Sequence, residues 1–237
     1  MRCSPPAAPK SSIDVSDPVP EEVLHQLDAL ELDPDRPLLI CDADEVLFAF
    51  VRGLEHYLND QGLELRLETF ALTGNIRDAG SGEPLAAGDV RELLQRFFAE
   101  RTESLEPIEG ARDALATLAE RMQIMVLSNI PLAQRQARQR ALDRHGMAYP
   151  IVANSGRKGG AVARLASRVS APVVFVDDIP HNLDSVADAA EDVIRLHFVG
   201  DERLARLLDI AASAHGRHDT WPDARTFIEA RLAQHGF

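Results

Sequence analysis

The chain has 237 residues and a net charge of -13, with 45% hydrophobic and 5% aromatic residues. That is apolar material enough for a substantial core, while the negative balance argues against nucleic acid or an anionic membrane as the main partner, and the shortage of rings argues against a stacking platform for single strands. Cys3 and Cys41 fit neither a disulfide framework nor a zinc site, and no apolar run approaches the roughly 18 to 20 residues of a membrane helix.

In chain order, residues 1–20 are rich in Pro, Ser and Asp and read as a disordered tail. The tail lacks the apolar centre of a signal peptide, so a cytoplasmic location is expected. Val23, Leu24, Leu27 and Leu30 predict a helix within 21–32, ended by Pro34 and Pro37. The apolar run Leu38-Leu39-Ile40-Cys41 then delivers two acids, Asp42 and Asp44. Helical patterns follow at 51–60 and 89–101, with the turn-rich stretch 73–82 between them. The section 51–106 therefore reads as a mostly helical insertion, a small cap over the sheet edge. Arg52, Arg77 and the 73–82 loop are its candidate substrate contacts.

Beyond it, apolar runs at 124–127, 149–153, 173–176 and 193–199 alternate with amphipathic stretches at 109–121, 132–145, 159–169 and 182–190. Such alternation predicts an α/β fold: a doubly wound, mainly parallel, Rossmann-like sheet. Its core would comprise 21–50 and 107–237, with closing helices at 201–213 and 222–234. The loop His215-Gly216-Arg217-His218 reads as solvated rather than metal-binding.

Right-handed crossovers bring all strand carboxyl ends to one edge, where open α/β sheets bind ligands. Strand by strand, that edge receives Asp42 and Asp44, then Ser128-Asn129, then Lys158, then Asp177-Asp178. Lys158 is notable because the only other lysine is Lys10, in the tail. Neighbouring buried acids repel unless a cation or a reaction needs them. The set suits phosphoryl transfer. Asp42 can attack phosphorus and form an aspartyl phosphate. Oxygens of Asp42, Asp177 and Asp178 can hold Mg²⁺, a hard oxygen-seeking ion. Ser128, with Asn129 beside it, can bind phosphate oxygens, and Lys158 can neutralise phosphate and nucleophile. Asp44 can protonate the leaving oxygen and then deprotonate water.

The order Asp-x-Asp-x-Val, Ser-Asn, Lys, Asp-Asp resembles the four motifs of the haloacid dehalogenase-like hydrolase superfamily, over about 37–200. The resemblance implies Asp42 as nucleophile and Asp44 as general acid/base, with the main-chain carbonyl of Asp44 also reaching Mg²⁺. It implies Ser128 and Lys158 as phosphate ligands, Asp177 with Asp178 as metal acids, and 51–106 as the helical cap between the first and second motifs. Phe175-Val176-Asp177-Asp178-Ile179-Pro180-His181-Asn182 is similar to the fourth motif. One departure is Glu45, where the family usually has Gly. An outward salt bridge is expected of it.

The reading is a Mg²⁺-dependent phosphatase of a small phosphorylated metabolite. A phosphomutase would use the same residues, and a catalytically silent phosphate-binding or regulatory protein is a further alternative, suggested by Glu45. Haloacid dehalogenation needs neither Asp44 nor the pair at 177 and 178. A receiver domain would carry its acidic pair first and its lysine last, the reverse of the order here.

Overall fold

The computed structural model describes residues 18–237, so most of the expected N-terminal tail lies outside the described residues. Helix α1 (Glu21–Asp28) leads into β1 (Leu38–Cys41), whose four residues are all buried. A strand apolar on both faces belongs in the middle of a parallel sheet. The sheet order is β5-β4-β1-β6-β7-β8, every pairing parallel, with β4 at Gln123–Ser128, β5 at Ile151–Ala153, β6 at Val173–Asp177, β7 at Ile194–His197 and β8 at Gly216–Arg217.

Alternate β1 residues face opposite layers, as the two-residue period of a strand requires. Leu39 and Cys41 pack with α4 (Ala111–Leu118), α5 (Arg135–Arg144) and α9 (Trp221–Gln234). Leu38 and Ile40 pack with α1, α6 (Gly159–Ala166) and α7 (Pro180–Ala189). The fold class read from the alternating pattern is the one observed, and Asp42, Ser128 and Asp177 all stand at carboxyl ends of adjoining strands.

The segment between β1 and α4 holds α2 (Phe50–Asn59), β2 (Leu63–Leu65), β3 (Ile76–Asp78) and α3 (Ala87–Arg101). Phe97 of α3 meets Phe50 and Tyr57 of α2 edge to face, at centroid distances of 5.3 and 5.4 Å. β2 and β3 form an antiparallel hairpin, part of which the apolar pattern had placed in a turn-rich loop. Three-residue strands are too short to show a period. Side chains hold this pair in place: Asn75 donates to the Thr69 and Ala71 carbonyls, and Asp78 accepts from the Gly80 and Ser81 N–H groups.

The other departure is at the C-terminal flank. Only α8 (Glu202–Ala205) is helical in the expected 201–213 stretch, and the expected loop at 215–218 contributes the edge strand β8. Backbone pairing makes that strand: His215 N–H donates to the Arg195 carbonyl at 2.8 Å and His218 N–H to the His197 carbonyl at 3.1 Å. The His215 ring accepts the Arg195 N–H through Nδ1, so it serves the sheet. No helix among the described residues is long and apolar enough to cross a membrane.

Candidate active site

At the end of β1 the Asp42 N–H donates to the Val176 carbonyl of β6 at 2.9 Å, which sets the two strand ends side by side. Lys158, on the turn before α6, reaches between them. Its Nζ lies 2.6 Å from Asp42 Oδ1 and 2.7 Å from Asp177 Oδ2. Gly159 is what admits it: a Cβ there would stand 2.1 Å from the Ser185 carbonyl oxygen of α7. Only glycine lets α6 approach α7 so closely.

Asp42, Asp177 and Asp178 are buried and each brings an oxygen within 4.8 Å of the others. One lysine faces these three carboxylates. Burial pushes Asp42 up to about 7, against the pull of Lys158 and helped by Asp177 and Asp44. Burial, with Asp177 and Asp42 beside it, raises Asp178 well above the carboxylate range. Desolvation would lower Lys158, but Asp177 and Asp42 overcome it and hold the ammonium charged.

The two acids of the pair are not equivalent. Asp177 Oδ1 accepts from the Ile179 N–H and from Asn182 Nδ2, and its Oδ2 from Lys158. Asp178 Oδ1 is buried with no partner among the described residues. The Ser128 hydroxyl at the end of β4 is likewise buried and unpartnered. Buried polar atoms in native folds are overwhelmingly paired, so these point to a bound group. Three clustered carboxylate oxygens with one counter-charge are a hard-oxygen donor set, which fits a divalent cation such as Mg²⁺.

Asn129 stands apart from that group. Its Oδ1 accepts from Asn154 and its Nδ2 donates to the Gly156 carbonyl, tying the loops after β4 and β5 together. Beside it a cleft of about 460 Å³ opens between Ile130 and Leu132 on one wall and Arg91, Leu94 and Phe98 of α3 on the other. Arg77 is spent within its hairpin, on the Gly82 carbonyl and Glu68. Arg52 lines a different cleft, with His56 and Arg101.

No protein-family model and no curated protein matches the chain. Solved structures do. A conserved haloacid dehalogenase-like protein of unknown function from Agrobacterium tumefaciens is 19% identical, over 82% of this chain and 98% of that one, with a TM-score of 0.57. A haloacid dehalogenase family hydrolase from Deinococcus radiodurans, solved with bound phosphate and sodium, is 18% identical over 84% and 98%, at 0.52. A putative β-phosphoglucomutase from Thermotoga maritima is 15% identical over 83% and 99%, at 0.52. The chain has the haloacid dehalogenase-like fold.

Three residues of this candidate site escaped the sequence reading. Asn182, which orients Asp177, lies within the fourth motif but had no role assigned. Arg138, fully buried on α5, donates from Nη2 to Asp44 Oδ1 at 2.6 Å. One of four arginines in a helix with six other polar residues gives no sign of burial. The third is Glu45, and the expected outward salt bridge is not what forms. Glu45 is 3% exposed, and its backbone is left-handed, at φ 57°. Glycine adopts that conformation freely and other residues at a cost. The carboxylate turns inward: Oε1 accepts the Val51 N–H at 2.6 Å, in the first turn of α2, where Ala49 offers no side-chain cap. Burial pushes Glu45 up to about 7, partly offset by that hydrogen bond.

Proposed function

We propose that the protein is a Mg²⁺-dependent phosphatase acting on a small phosphorylated metabolite through an aspartyl-phosphate intermediate. What carries the reading is the placement of Lys158 between Asp42 and Asp177, with Asp178 Oδ1 and the Ser128 hydroxyl left buried and free beside them. That is a positive point charge, a hydroxyl and spare carboxylate oxygens around one potential nucleophile.

Asp42 and Asp178 are the carboxylates that would hold the metal directly, with the main-chain carbonyl of Asp44. Asp177 would complete that donor set while also fixing Lys158, since its Oδ2 accepts from Nζ and its Oδ1 from the Ile179 N–H and Asn182. When bound, Mg²⁺ offsets the repulsion between a carboxylate and a phosphate ester. An oxygen of Asp42 then attacks phosphorus and the ester oxygen departs, taking a proton from Asp44. A water molecule next attacks the phosphoryl-Asp42, losing its proton to Asp44 and freeing inorganic phosphate. Ser128 and Lys158 bind the phosphoryl oxygens throughout. Asn129 shapes the loop at the rim of the cleft toward α3, which is the room available for the rest of the substrate. The inserted segment 51–106 serves as the cap over that room.

The test is hydrolysis of p-nitrophenyl phosphate and a panel of phosphorylated metabolites, with Mg²⁺ and with chelator, beside Asp42→Asn. Activity that needs Mg²⁺ and is lost in Asp42→Asn is the expected result. A wild type inert across the panel, or an Asp42→Asn variant of full activity, ends the reading.

A further inference from the structure

The geometry points to Arg138 as the positioning residue of the acid–base carboxylate, fixing Asp44 for proton transfer at the leaving oxygen. This rests on the phosphatase reading above. The guanidinium is 0% exposed and sits between two groups of one loop. On one side Nη2 holds Asp44 Oδ1 at 2.6 Å. On the other its carbon stands 4.8 Å from the centre of the Phe48 ring. Phe48 N–H donates to the Ala43 carbonyl and Glu45 N–H to the Phe48 carbonyl, both at 2.9 Å, so ring and carboxylate hang from one folded loop. Phe48, Arg138 and Asp44 make a stack of ring, cation and anion.

Such an arrangement is poor value as packing alone. Arginine stays charged in proteins, and burying an ion carries a desolvation penalty that one partner seldom returns. Here Nε and Nη1 are buried without partners among the described residues. An apolar residue of similar length would pack that place at lower cost. What the arginine supplies is orientation. A loop aspartate free to turn about χ1 samples several staggered wells. With Oδ1 pinned, Asp44 is held in one, and Oδ2, which accepts nothing among the described residues, is left to exchange the proton. Holding a reacting group in a single geometry removes part of the barrier.

A double-mutant cycle with a leaving-group series tests it, using the full chain with Mg²⁺. Arg138→Met should lower kcat for phenyl phosphate by about 10- to 100-fold, the usual cost of losing a partner that orients a reacting group. KM should change by less than about 2-fold, since ground-state binding is untouched. The loss should shrink for p-nitrophenyl phosphate, whose leaving group needs little protonation. In the Asp44→Asn background Arg138→Met should cost almost nothing further. Arg138→Lys should restore part of the rate, and it replaces the Met variant in the cycle if that one does not fold. Equal losses with and without Asp44, or equal losses for both esters, would overturn the assignment and leave the phosphatase reading standing. A wild type inert on both esters would overturn the two together.

Discussion

Two regions of this molecule bury charged side chains, and they treat them differently. On the β7–β8 flank, Arg195 gives Nε to the Ser213 carbonyl and Nη1 to the Glu191 and Val193 carbonyls, while Nη2 lies 3.4 Å from the His215 ring. His197 accepts from the Ala211 N–H through Nδ1 and reaches the Asp178 carbonyl with Nε2. At the carboxyl edge of the sheet, by contrast, Asp178 Oδ1, Ser128 Oγ, Asn182 Oδ1 and two nitrogens of Arg138 are buried without partners among the described residues. The flank is not wholly saturated, since the Ser213 hydroxyl is buried there without a partner among the described residues, but its charged groups are paired; paired polar groups hold a fold together, and unpaired ones cost stability. The flank ties the last strand to the sheet, and the edge gathers the polar atoms that the phosphatase reading uses.

The largest expected effect separates these roles. On the proposed phosphatase reading, Asp178→Asn should lower the hydrolysis rate with Mg²⁺ by about 1,000-fold, the several kcal/mol that a metal contributes to charge stabilisation. Its urea midpoint without metal should hold or rise, since one buried carboxylate in a repelling cluster is gone. Arg195→Ala should behave the other way. It strips three carbonyls of a donor and should cost about 3 kcal/mol of stability, with kcat unchanged in the protein that remains folded. If both variants lose stability and activity together, the division between edge and flank fails.

The edge was more legible in the sequence than the flank. Asp42, Asp44, Ser128, Lys158, Asp177 and Asp178 each follow an apolar run, and a parallel sheet sends every such position to one edge. The strands themselves were legible because both faces are apolar, as in β1. Arg138 was not, because what buries it is a ring and a carboxylate some 90 residues upstream in the chain. The hairpin of β2 and β3 and the edge strand β8 were missed for another reason. They have three, three and two residues, and depend on backbone bonds and capping side chains rather than on any apolar period. Glu45 was misjudged because an acid after two acids suggests solvent, whereas the loop needs a carboxylate facing inward at Val51.

Glu45 joins the two regions, and it allows a finer test. Its side chain caps α2, and its carbonyl accepts the Gly200 N–H just beyond β7, at 2.8 Å. Glu45→Ala removes the cap and keeps the left-handed strain already present, so it should destabilise by about 1 kcal/mol. Glu45→Gly removes the cap but relieves the strain, and should be about 1 kcal/mol more stable than the Ala variant. Equal urea midpoints for the two would show that φ 57° at this position carries no cost.

The smallest effect lies where the flank touches the edge, at His197. Because Nδ1 accepts the Ala211 N–H, the ring proton sits on Nε2 and is donated to the Asp178 carbonyl. Protonating Nδ1 would set two donors against each other in a buried place. Burial accordingly lowers the His197 pKa below its ordinary 6.5. Well above pH 6.5 the ring is neutral folded or unfolded and stability does not depend on it. Below that, the unfolded chain takes up a proton that the folded chain refuses. Stability must then fall as pH drops, by at most about 1.4 kcal/mol per unit for one group. His215, also lowered by burial, adds a fall of the same sign, so the wild-type curve alone is not diagnostic. The difference between wild type and His197→Gln isolates the one ring. Between pH 6.5 and 5.5 the variant should lose less stability than wild type, by somewhat under about 1 kcal/mol. Parallel curves would mean that His197 takes its proton as readily inside the fold as outside, and that the flank is not as tightly saturated as its hydrogen bonds indicate.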